Sequence, residues 1–162
     1  MTISVGDTLA AGSFMVKGEG GIVDVPIESL TAGKSVVIFG LPGAYTGTCS
    51  TAHVPSFIRS MDKLKAKGVD AVICVSVNDA HVMKAWGEAT GATKAGIVMA
   101  GDPDAAFTKA LGLEYSAGFM RGAARSKRYA LQVVNGVVKV LNLEANPGVC
   151  DISGGEAMVE AI

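Results

Sequence analysis

The sequence predicts an α/β domain built on a mixed central sheet, with helices on both faces. Short β-branched apolar runs alternate with longer stretches of helical periodicity. Turn and cap residues stand at the junctions between them. Near the C-terminus, Asn135-Gly136 joins two further strand-like runs and adds antiparallel strands to a partly parallel sheet.

Residues 22–27 read as an early strand after a Gly-rich turn. Residues 35–39 form a β-branched apolar run, a buried strand that Gly40-Leu41-Pro42-Gly43 must break. Helical pattern follows over 48–67, with Phe57, Ile58, Met61 and Leu64 on one face. Pro55 kinks or divides this helix, and Gly68 stops it. Residues 71–77 are another buried strand. Asn78 or Asp79 then caps a helix that reaches Thr90. Residues 97–100 are a short strand. Asp102-Pro103 reads as cap and first helical residue of a helix that Gly112 ends. Residues 114–127 are irregular. The runs 128–134 and 137–143 make the hairpin. Ser153 and Glu156 have capping-box spacing before a terminal helix.

With 162 residues, 49% of them hydrophobic, and no linker or internal repeat, the chain reads as one domain over 1–162. A net charge of -1 without a basic stripe argues against nucleic acid as a partner. No apolar run approaches the roughly 18 residues that span a bilayer, so no membrane partner is expected. The first twelve residues lack a basic start followed by an apolar core, so no secretory signal is read. The three cysteines, Cys49, Cys74 and Cys150, are odd in number and far apart. That suits a reducing compartment, and it suits neither a disulfide framework nor a zinc site. A cytoplasmic location is expected from the sequence as written, an organellar one if a transit peptide has been removed.

The chemistry concentrates in Pro42-Gly-Ala-Tyr-Thr46-Gly-Thr-Cys49, between a buried strand and a helix. Cys49 falls in the first helical turn, where unpaired N–H groups and the positive end of the helix dipole favour an anion. A thiolate is that anion, and it is the reactive form of cysteine. The Thr46 hydroxyl can face the sulfur or a bound oxygen. Pro42 can shield the sulfur from water and stiffen the loop. The same residues also fit an ordinary helix start with an inert buried cysteine. Other chemistries lack a residue they need. Thr48 stands where a phosphate-binding loop has Lys, Pro55 where a cysteine phosphatase has Arg, and Ala52 where a C-x-x-C pair has its second Cys. His53 and His81 have no context of a protease base or a metal site, and His53 is expected to pack or hydrogen-bond structurally. Trp86 is expected in the core or the wall of the site.

At this point the sequence resembles the peroxiredoxins. Pro42, Thr46 and Cys49 match the family's P-x-x-x-T/S-x-x-C motif, and the string from Pro42 to Pro55 is similar to the type II, or peroxiredoxin-5, branch. The likeness continues through Val75-Ser-Val-Asn-Asp79, Val82-Met-Lys-Ala-Trp86, Arg125-Ser-Lys-Arg-Tyr-Ala130 and Val138-Lys-Val-Leu-Asn-Leu-Glu144. The resemblance implies a thioredoxin-like fold and a thiol-dependent peroxidase acting on hydrogen peroxide and alkyl hydroperoxides. Cys49 would attack the peroxide and become a sulfenic acid. Thr46 would hydrogen-bond the peroxide oxygens, Arg128 would reach the thiolate from a distant strand, and Pro42 would shield the site. Arg125 is a weaker rival for a supporting role.

The resolving candidate is Cys150, in a loop after Asn146-Pro-Gly. Cys74, in a strand-like run, is its rival, and an external thiol is the third route. Reducing equivalents would come from glutaredoxin and glutathione or from thioredoxin. A homodimer is implied, and no cofactor is expected. One departure from the branch is Gly47, where Pro is usual, which suggests a looser loop. A second class of function, a non-enzymatic peroxide sensor that signals to a partner protein, is distinguished by the absence of turnover with any reductant.

Overall fold

The computed structural model describes residues 1–162. Its seven-stranded sheet runs in the order β2-β1-β5-β4-β3-β8-β9. Those strands are β1 (Ser13–Gly18), β2 (Gly21–Pro26), β3 (Ser35–Gly40), β4 (Ala71–Ser76), β5 (Val98–Gly101), β8 (Tyr129–Val134) and β9 (Val137–Leu143). The central strands β3, β4 and β5 are parallel. Antiparallel strands flank them on both sides, so the sheet is mixed. The helices are α1 (Ile27–Thr31), α2 (Val54–Ala66), α3 (Ala80–Thr90), α4 (Ala106–Ala110) and α5 (Gly155–Ala161). A two-residue ladder of β6 (Glu114–Tyr115) and β7 (Arg125–Ser126) sits apart from the main sheet.

Alternation along the strands divides the core into two layers. Val37 and Phe39 point to one face, with Phe57, Met61 and Leu64 of α2, Met83 and Trp86 of α3 and Met158 of α5. Val36 and Ile38 point to the other, with Ile27 of α1 and Phe107 of α4. Helices therefore cover both faces, because β3 and β4 are apolar on both sides.

Several junctions follow local chemistry. The Asp79 carboxylate accepts the Val82 N–H and caps α3. Asn135 and Gly136 both have positive φ, as a tight hairpin turn requires. Pro55 lies in the first turn of α2, where its missing N–H costs nothing. The helix is divided there, with a wider turn over Cys49–His53 that the Val54 N–H closes on the Cys49 carbonyl.

Other expectations are corrected. Strand β1 is too weakly patterned, and helix α1 too short, to be read from the sequence, and the strand expected over 22–27 is the outer arm of a β1–β2 hairpin that ends at Pro26. The helix expected from Pro103 begins only at Ala106. Asp102 folds its carboxylate over the N–H groups of Phe107 and Thr108, across a turn in which Ala105 has φ 58°. The capping box at Ser153 does not form. The Ser153 hydroxyl donates instead to Glu144, and Glu156 pairs with Arg59.

Strand β8 lies beside β3 with Gly40 opposite Tyr129. A Cβ on Gly40 would stand 2.2 Å from the Tyr129 ring. We expect Gly40→Ala to lower stability by about 3 kcal/mol or to prevent folding. Gly47→Ala, whose added Cβ meets nothing within 4 Å, should stay within about 0.5 kcal/mol of the parent. Urea unfolding of both variants checks the pair.

Candidate active site

The β3–β8 pairing brings together two segments that lie far apart in sequence. The chain leaves β3 at Gly40 and forms the loop that ends at Cys49. It enters β8 at Tyr129, directly after Arg128. Arg128 and Cys49, 79 positions apart, meet there: Nη2 donates to Sγ at 3.2 Å.

Both groups are 1% exposed. Burying a guanidinium is costly unless its N–H groups are satisfied and its charge is balanced. Nε donates to the Pro147 carbonyl at 2.9 Å, and Nη1 donates to His53 Nδ1 at 3.1 Å. No carboxylate contacts Arg128, since the ion pairs of the structure are Arg59 with Glu156 and Lys84 with Glu88. Of the three acceptors only the Cys49 sulfur can carry negative charge. An anion at that sulfur would balance the guanidinium charge. The backbone adds to this, because the N–H groups of Gly47, Thr48 and Cys49 have no acceptor within the protein.

His53 is the residue whose place sequence reasoning missed. It hydrogen-bonds structurally, as expected, yet the bond goes to the site arginine. Its Nε2 lies 2.9 Å from the Ser153 carbonyl. A carbonyl only accepts, so Nε2 carries the proton and Nδ1 presents a lone pair to Arg128. Burial, and then the Arg128 charge, hold the imidazole neutral with a pKa lowered to about 3. The spacing of His53 one turn after Cys49 was the only signal available. The partner on β8 could not be inferred from it.

Thr46 makes no hydrogen bond to the sulfur. Its hydroxyl donates to the Gly43 carbonyl at 2.7 Å, which leaves its lone pairs free to accept. Pro42, Thr46 and Arg128 line a cavity of about 550 Å³, together with Arg125 and the apolar Phe119 and Met120. Arg125 donates to the Val77 carbonyl at 2.6 Å and so braces the cavity wall. Gly47 needs no special backbone conformation. The positive φ of this loop is at Tyr45, 63°, so the departure at Gly47 does not mark its strained residue. Trp86 is core, and its indole N–H donates to the Ser50 hydroxyl at 3.0 Å.

The three cysteines are free. Cys74 is fully buried on β4, and burial, then the nearby Cys49, push its thiol pKa well up. Cys150 is half-buried in the loop before α5, its Sγ 3.8 Å from the Ser153 hydroxyl. Burial raises its pKa too, while Ser153 and then Arg128 pull it down.

Comparison with known proteins adds relatives to this geometry. Residues 5–159 match the Redoxin family. Peroxiredoxin-2E-2, chloroplastic, of Oryza sativa subsp. japonica is 46% identical, over 99% of this chain and 73% of that protein. Peroxiredoxin-2F, mitochondrial, of the same plant is 47% identical, over 85% and 69%. Among solved structures, reduced Prx3 of Vibrio vulnificus in complex with hydrogen peroxide is 50% identical. It superimposes with a TM-score of 0.92 and covers 99% of both chains.

The neutral His53 gives a pH prediction. The unfolded imidazole takes up a proton near pH 6.5, and the folded one only near pH 3. Between these values the unfolded state binds more protons, so stability falls as pH falls through that window. In His53→Gln this contribution to the pH slope should vanish, as urea midpoints from pH 7 to pH 4 would show.

Proposed function

Since the chain belongs to the peroxiredoxins, the thiol peroxidases with a thioredoxin-like fold, we propose that Cys49 is its peroxide-reducing sulfur and Arg128 its principal electrostatic partner. The 3.2 Å contact between the buried guanidinium and Sγ carries this assignment.

The thiolate of Cys49 attacks one oxygen of the peroxide along the O–O axis. The S–O bond forms as the O–O bond breaks, the proton of the attacked O–H passes to the leaving oxygen, which departs as water or alcohol, and the sulfenate left on the sulfur takes a proton from solvent. The sulfur is oxidised to a sulfenic acid and the peroxide is reduced. Charge builds on the leaving oxygen, so fixed donors beside it lower the barrier. Arg128 and the free N–H groups of the Cys49 loop supply such donors. Thr46 has committed its proton to Gly43 and so accepts the peroxide O–H. Pro42, which has no N–H of its own, completes the wall. The apolar surface of Phe119 and Met120 suits alkyl hydroperoxides as well as hydrogen peroxide.

Cys150 is the resolving thiol on this reading. It lies in a half-exposed loop, whereas Cys74 is sealed in the core. Its sulfur displaces the hydroxyl of the sulfenic acid, the S–S bond forms, and water leaves. Glutaredoxin with glutathione, or thioredoxin, then returns the disulfide to thiols. Turnover with each reconstituted system assigns the reductant. The exposed Tyr45, Phe119 and Val149 support a homodimer that covers them. A compartment with such reductants, cytoplasm or organelle, suits the reaction.

Stopped-flow oxidation tests the assignment. Cys49→Ser should lose peroxide consumption entirely. Arg128→Lys, which cannot serve Pro147, His53 and the sulfur at once, should lower the oxidation rate constant about 100-fold. Thr46→Val should lower it more than Thr46→Ser. Undiminished consumption by Cys49→Ser overturns the reading. Mass spectrometry after stoichiometric peroxide should find a disulfide joining Cys49 to Cys150.

A further inference from the structure

The strand β9 ends at Leu143, and Glu144 follows with its carboxylate turned inward, 6% exposed. It pairs with no cation. Its Oε1 accepts three hydrogen bonds from one short segment: the Asp151 N–H at 2.7 Å, and the N–H and hydroxyl of Ser153, each at 2.9 Å. A buried carboxylate with this many donors is a strong tie, because bonds to a charged acceptor are about twice as strong as neutral ones.

The segment it holds is also the one on which the site rests. Pro147 accepts from Arg128, Gly148 accepts from the Thr48 hydroxyl at 2.9 Å, and Ser153 accepts from His53. Cys150 lies between these anchor points, its sulfur close to the Ser153 hydroxyl. No motif placed Glu144 in the chemistry, and it touches neither the sulfur nor the cavity.

We infer that Glu144 is a positioning residue that clamps residues 146–153 onto the site, so that it fixes Arg128 and His53 from outside and keeps the Cys150 thiol docked. This rests on the reading of Cys49 and Arg128 given above. Release of the clamp withdraws the carbonyl acceptors from Arg128 and His53 and exposes Cys150. One carboxylate therefore sets the balance between a state ordered for peroxide and a state in which the second thiol is free.

The test uses the full-length reduced protein, with two readouts on each variant: iodoacetamide labelling of each cysteine, resolved by mass spectrometry, and stopped-flow oxidation of Cys49 by hydrogen peroxide. In Glu144→Ala, labelling of Cys150 should rise about tenfold and oxidation of Cys49 should slow about tenfold. Glu144→Gln, which keeps an acceptor oxygen in place, should recover most of both. Labelling of Cys74 should stay at the parent rate, because a released loop does not open the core. If Glu144→Ala does not fold, Ser153→Ala, which removes one of the three donors, should shift both rates the same way by about threefold. Unchanged rates in a folded variant overturn the inference, as does a rise in Cys74 labelling that parallels Cys150. The labelling arm needs no peroxide. A parent protein whose Cys49 ignores peroxide would sink the peroxidase assignment while the clamp could still be read.

Discussion

The site depends on a guanidinium that has been removed from water without a carboxylate to meet it. Arg128 is 1% exposed, and its contacts are a carbonyl, an imidazole and a sulfur. Two of those are neutral. An anion at the sulfur would therefore offset the cost of burying that charge. Each group is expensive to bury alone, and here the sulfur lies beneath the cavity that Arg128, Thr46 and Pro42 line. The neutral histidine matters for the same reason. A protonated His53 would set a second cation against Arg128, so the tautomer fixed by the Ser153 carbonyl is the one the arginine requires.

Topology makes the pair possible. Parallel β3 and β4 place the Cys49 loop at the carboxyl edge of the sheet, where loops are free to carry chemistry. Antiparallel β8 beside β3 begins at that same edge, so the residue before it arrives next to the loop. The close contact of Gly40 with the Tyr129 ring lets the two strands keep this register. The buried side-chain polar groups are almost fully paired. Tyr129 Oη is the single buried side-chain oxygen or nitrogen without a partner, and such complete networks hold donors in place before substrate arrives.

Much of this was legible in the chain. The Asn135-Gly136 hairpin, the Asp79 cap and the buried strands over 35–39 and 71–77 follow from local rules and stand in the structure. Expectations failed where a side chain had a better partner than the cap that local rules assign it. Ser153 gives its hydroxyl to Glu144 rather than to its own helix, and Asp102 reaches past Pro103 to a later turn. The Cys49 loop could be read from its residues, and Arg128 came from resemblance. Neither route pointed to His53 as the arginine's support or to Glu144, because the contacts of both depend on where the last loop folds back. Gly47 suggests a looser loop from its residue type alone, and the positive φ of that loop is at Tyr45.

The two buried charges, Arg128 and Glu144, also explain each other. They are neighbours across the β8–β9 ladder, where the Glu144 N–H donates to the Arg128 carbonyl at 3.0 Å. Their side chains do not form an ion pair. Instead the chain inserts a loop between them. The arginine takes the Pro147 carbonyl oxygen, and the glutamate takes the N–H groups of Asp151 and Ser153. The peptide dipoles of the loop thus run from cation to anion and lower the cost of both charges. This keeps the guanidinium free on its far side for Cys49. It also ties the placement of the loop to that of the guanidinium, because both rest on an acceptor oxygen at position 144.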